Sequence, residues 1–105
     1  MAQWDVYANP SPRARAELPF LVDIQSDLLA ALTTRLVVPC APAETAAGGL
    51  PPRMSPAFEI DGRAVVLLPQ EAGPVPASAL RCQVGSLREQ SHRIVDALDA
   101  VVSGL

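Results

Sequence analysis

Ser26, Asp27 and His92 are the residues from which a hydrolytic triad would have to be assembled. No G-x-S-x-G elbow frames the serine, so nothing in the spacing supports a strained, exposed nucleophile. His92 is the one histidine in the chain, and zinc needs three or four ligands. Cys40 and Cys82 form no CxxC and have no His-Cys cluster around them, which reads as two reduced structural thiols rather than a redox pair or metal site. Asp23 and Asp27 are paired carboxylates, as are Asp96 and Asp99; the second pair reads as a solvated helix face. Gly48-Gly49 lacks both the pattern and the following lysine of a phosphate loop. These residue types point to a binding protein, with no enzymatic activity, cofactor or metal expected. The stretch that invites a binding role is LVDIQSDLL, residues 21–29, where Asp23, Gln25, Ser26 and Asp27 interrupt an apolar run.

The elements that would carry these residues follow from composition and pattern. A chain of 105 residues suits one domain, 1–105. Half of it is hydrophobic, with Trp4, Tyr7, Phe20 and Phe58 the only aromatics, so the core must be built from aliphatic side chains. The net charge is -3, and the eight basic residues are arginines scattered along the chain. That is not the basic footprint of a protein gripping nucleic-acid phosphates. No signal peptide is read at the start, and no apolar run approaches the ~20 residues that span a bilayer. A soluble cytoplasmic protein with no membrane partner is expected.

Residues 3–8 alternate and read as a first strand; residues 9–19 hold three prolines and read as a loop. In the next strand Phe20, Val22 and Ile24 would share one face, with Asp23 and Gln25 on a wetter one and Ser26 and Asp27 at its end. TRLVVPC, 34–40, reads as a third strand, and regular structure over 41–56 is doubtful. Asp61-Gly62 between two apolar runs predicts a hairpin of 57–60 with 63–68, because a type I′ turn needs positive φ twice. Residues 69–78 read as another proline-rich loop. The tail predicts a helix of about four turns, opened by a Ser86–Glu89 capping box. Leu87, Ile94, Leu98, Val101 and Val102 would form its apolar stripe, and Gly104 its C-terminus. The outline is a mainly β, antiparallel sheet or barrel with a C-terminal α-helix.

Taken together, these segments resemble the CcdB family of toxins from type II toxin–antitoxin modules. WDVY is similar to the family's first strand, and FLVDIQSDLL to its segment with a central Gln-Ser-Asp. RLVVP, VPAS and the final helix of SLREQSHRIVDALDAVVSGL follow the family pattern, with Gly104-Leu105 where the family ends in Gly-Ile. The resemblance runs from end to end, and Gln-Ser-Asp is its most specific element. It implies a homodimer of SH3-like barrels, each with a main antiparallel sheet, a small second sheet and a C-terminal helix, as in CcdB and Kid. It implies binding to the A subunit of DNA gyrase and trapping of the cleaved gyrase–DNA complex. It also implies neutralisation by a CcdA-like antitoxin, with which the toxin co-represses its operon, touching DNA only indirectly.

Carried over residue by residue, the resemblance implies gyrase contacts at Ser26, Leu28, Asp99, Ser103, Gly104 and Leu105. For Ser26 and Leu28 the plain alternative is a strand-end turn capped by Asp27. The chain departs from the family at the end. A tryptophan that stacks on a gyrase arginine is replaced by Ser103, and an asparagine by Asp99. An aromatic over an arginine contributes about 1–2 kcal/mol when desolvated, so these changes bear on poisoning more than on fold or dimerisation. Two further readings stand beside the poison: a homologue that binds antitoxin without poisoning, and an endoribonuclease of the MazF and Kid kind, which the net charge of -3 disfavours.

Overall fold

The computed structural model describes residues 2–45 and 50–104. Among the described residues seven strands form one antiparallel sheet: β1 (Asp5–Ala8), β2 (Phe20–Asp23), β3 (Thr34–Pro42), β4 (Ala57–Ile60), β5 (Arg63–Leu67), β6 (Gly73–Pro76) and β7 (Gln83–Ser86). One helix, α1 (Ser91–Ser103), follows. The order β4-β5-β3-β2-β1-β7 curls into a half-barrel with the helix attached, an SH3-like arrangement. β3 is long enough to serve two neighbours on one edge. Its first half pairs with β6 and its last three residues with β5, so the β4–β5 hairpin is the smaller wing of the sheet.

The hairpin forms as its turn chemistry dictates: Asp61 and Gly62 have φ of 51° and 76°, and Ile60 pairs with Arg63. One strand, β6, lies where the sequence suggested a loop, and another, β7, in a stretch to which the sequence assigned no strand. β6 is GPVP, yet it pairs only with β3. An edge strand leaves its outer N–H positions without a ladder partner, so Pro74 and Pro76 are tolerated there. β7 is four residues long and carries a bulge: Val6 and Tyr7 face Gly85 and Gln83, leaving Val84 extra. β1 begins at Asp5 rather than residue 3, because Trp4 takes a left-handed φ of 76°. That conformation lets the Trp4 carbonyl accept from the Leu87 N–H at 2.8 Å.

Both faces of the sheet are covered. Val6, Phe20, Val22, Val38, Cys40, Phe58, Ile60, Val65, Leu67, Leu87 and Ile94 pack inside the half-barrel. Tyr7, Leu21, Val37 and Leu80 form a smaller cluster on the reverse face. This corrects the wet face expected for Asp23 and Gln25: they are 0% and 6% exposed. Asp23 is compensated by Arg35, whose Nε donates to Oδ2 at 2.8 Å. Arg35 Nη2 lies 2.7 Å from the same oxygen, but Nε has the aligned bond, and no other acceptor among the described residues meets Nη2.

The helix has about the expected number of turns, but it starts later than the capping box implied and faces the core differently. The Ser86 hydroxyl accepts from the Arg88 N–H at 3.2 Å, so the capping box does not close on Glu89. A 3-10 turn (Arg88–Gln90) leads in, and α1 starts at Ser91. Ile94, Ala97 and Ala100 are its buried residues, while Val102 is 87% exposed. The buried face of the helix thus runs through the two alanines and leaves Val102 outward. Arg93 fastens it: its guanidinium stacks 4.4 Å from the Phe58 ring centroid, and Nη2 donates to the Ala57 carbonyl at 2.7 Å.

Candidate functional site

At the end of β2 the chain leaves the sheet and makes a 3-10 turn, Asp27–Leu29. Ser26 caps it, its hydroxyl accepting from the Leu28 N–H at 3.2 Å, and its carbonyl accepts from the Leu29 N–H at 2.9 Å. The cap is therefore Ser26 and not Asp27. Asp27 instead takes the Gln3 N–H on Oδ1 at 3.0 Å, while Gln3 Nε2 donates to the Ile24 carbonyl at 3.1 Å. With its backbone thus occupied, the turn presents Leu28 at 95% exposure. Leu29 and Leu32 are exposed beside it. The fold extracts no packing from Leu28.

The second group lies on the last turns of α1. Asp99, Ser103 and Gly104 are exposed. The Ser103 hydroxyl donates to the Asp99 carbonyl at 2.6 Å, folding the side chain back onto its own helix. Gly104 has φ 74°, and its N–H donates to the Ala100 carbonyl at 2.8 Å, a left-handed C-cap that glycine adopts without strain. Leu105, the remaining expected contact, lies outside the described residues. Among the described residues, no side-chain hydrogen bond or ion pair joins the Ser26–Leu28 turn to the end of α1.

Three residues in or beneath this surface have placements that the sequence pattern did not indicate. Gln3 holds the turn through its backbone N–H to Asp27, and Gln25 through its side-chain amide to the Leu29 carbonyl, which periodicity cannot reveal. Val102 was expected in the core and instead flanks Asp99 and Ser103 on the surface. A tally of small residues at helical spacing, Ala97 and Ala100, would have moved the buried stripe one position and exposed Val102.

The chemistry of catalysis does not assemble around these residues. His92 is exposed, and no hydrogen bond links it to Ser26 or Asp27, whose side chains are engaged by Leu28 and Gln3. No group of three metal-ligating side chains occurs among the described residues. Cys40 is buried and Cys82 exposed, both as free thiols, and burial pushes the Cys40 thiol up to about 12. Burial also raises the Asp23 carboxyl above its ordinary range, against the opposing pull of Arg35 and of the Gln25 N–H. A groove of about 370 Å³ on the reverse face is lined largely by apolar groups such as Leu21, Val37, Pro39 and Val75. Among the described residues no helix is long and apolar enough to cross a membrane.

The fold is thus an SH3-like half-barrel that exposes the turn after β2 and the end of its helix. The family model described as CcdB protein matches residues 3–104, so the chain belongs to the CcdB family and is a toxin of the toxin–antitoxin kind. No curated protein matches it.

Proposed function

We propose that this toxin is a homodimer that binds the A subunit of DNA gyrase and traps the enzyme on cleaved DNA in the cytoplasm. A small CcdA-like antitoxin neutralises it and joins it in repressing their operon, so that its contact with DNA is indirect. The whole chain, 1–105, acts as one binding domain. The observation that carries this reading is Leu28, 95% exposed on a turn whose backbone is hydrogen-bonded into place. Ser26 shapes that turn, and Asp99, Ser103, Gly104 and Leu105 supply the second part of the surface. A two-fold axis would present two copies of each.

The test mixes the purified protein with host gyrase and supercoiled DNA and measures linear DNA after denaturation. Accumulating linear DNA supports poisoning. Its absence, with a folded dimer verified, sinks it.

A second reading rests on Ser103. Its hydroxyl is already bonded to the Asp99 carbonyl at 2.6 Å, so the last turn offers gyrase neither an aromatic face nor a free donor there. Buried tryptophan anchors are costly to remove from interfaces. On this reading the protein binds its antitoxin and tunes transcription without trapping cleaved DNA, and the same assay separates the two.

A further inference from the structure

Beyond Ile24, whose N–H donates to the Leu36 carbonyl at 2.9 Å, the next link between β3 and the preceding chain is made by a side chain. Gln25 Oε1 accepts from the Leu36 N–H at 2.9 Å. Its Nε2 donates to the Leu29 carbonyl at 3.0 Å. One amide thus continues the pairing of β3 and ties down the far end of the exposed turn. The Gln25 N–H donates to Asp23 Oδ1 at 3.0 Å, and the other carboxylate oxygen is held by Arg35.

Gln25 is 6% exposed, and both polar atoms of its side chain are used inside the protein. It is in no position to touch a partner. Closing the Asp27–Leu29 turn in this way requires a donor and an acceptor on one planar group, which a primary amide supplies and a carboxylate or alkyl group does not. We infer that Gln25 is a positioning residue for partner binding: its amide, spanning Leu29 and Leu36, holds the 26–29 turn in the shape that presents Leu28. A turn already in its bound shape loses less freedom on association. The inference rests on the reading of Leu28 as a gyrase contact.

Gln25→Glu isolates the effect, because a carboxylate keeps the acceptor for the Leu36 N–H and loses the donor to the Leu29 carbonyl. The dissociation constant for the gyrase A subunit would be measured for the full chain, Gln25→Glu, Leu28→Ala and the double variant, each well below its melting temperature. Losing one such bond should weaken binding about fivefold. The weakening should disappear when Leu28 is already alanine. Amide exchange at the Leu29–Ala30 end of the turn should quicken while that at Leu36 is retained. Unchanged affinity in Gln25→Glu, or the same weakening with and without Leu28, overturns the inference alone. If Leu28→Ala itself leaves the affinity unchanged, the assignment of Leu28 falls and the inference falls with it. Should Gln25→Glu fail to fold, Gln25→Met at the same two backgrounds gives the same comparison without a buried charge.

Discussion

Arg35 on β3 reaches Asp23 on β2 with Nε 2.8 Å from Oδ2, and the two side chains are 2% and 0% exposed. A buried pair of this kind recovers in attraction roughly what its desolvation costs, so its presence adds little net stability, while loss of one partner strands the other. Asp23 lies two residues before Gln25, and its carboxylate also accepts the Gln25 N–H. The pair therefore supports the strand end from which the exposed turn departs.

Replacing either member should be far worse than replacing both. Arg35→Met or Asp23→Leu alone should destabilise the protein by about 3–5 kcal/mol, and the double variant should regain most of that. Urea unfolding followed by the fluorescence of Trp4, the one tryptophan, measures the cycle. Additive losses would show that the two side chains contribute independently.

Leu28→Asp should separate binding from folding. Because Leu28 is 95% exposed, unfolding free energy should change by less than about 0.5 kcal/mol. Trapping of cleaved DNA should fall by about a hundredfold, as expected for a charge placed in a desolvated contact. Undiminished trapping would remove Leu28 from the surface.

At the helix end, two substitutions act in opposite directions. Ser103→Trp should raise trapping, because it restores an aromatic where the hydroxyl now bonds to Asp99. Gly104→Glu should abolish it, at a stability cost of about 1 kcal/mol, since Gly104 sits at φ 74°. If Ser103→Trp gains nothing, the tryptophan is not what the surface lacks.

The two thiols should behave differently. A thiol reagent should label Cys82 in the native protein and reach Cys40 only on unfolding, as one is exposed and the other buried. Cys40 also makes stability pH-dependent. Its thiol is raised from 9.0 to about 12, so the folded state retains a proton that the unfolded state releases above pH 9.0. Its contribution is complete below that pH and is lost as pH rises toward 12. Between pH 8 and pH 10 the loss is about 1.4 kcal/mol, and Cys40→Ala should lack that slope in urea titrations at the two pH values.

Local chemistry made part of this protein legible from its residues. Asp61-Gly62 specifies its turn because only such residues accept positive φ in succession. The β-branched runs mark β2, β3 and β5, and Gly104 marks the end of α1. Gln-Ser-Asp and its apolar flanks carry the family resemblance, which the match over residues 3–104 establishes. These signals are short-range, and they survive without knowledge of what lies opposite.

Other features depend on neighbours far along the chain. β6 and β7 are strands only because β3 and β1 lie beside them; GPVP has no strand propensity of its own. Asp23 and Gln25 are buried because a second apolar cluster closes over the reverse face and Arg35 arrives from the adjacent strand. Val102 faces outward because the buried face of α1 runs through Ile94, Ala97 and Ala100. The sequence by itself determined the hairpin, the presence of a C-terminal helix and the turn that ends β2, because backbone preference and residue pattern decide those locally. Only the tertiary structure decided which polar groups are paired in the interior and which apolar ones stay exposed, because burial is a property of contacts between segments distant in the chain.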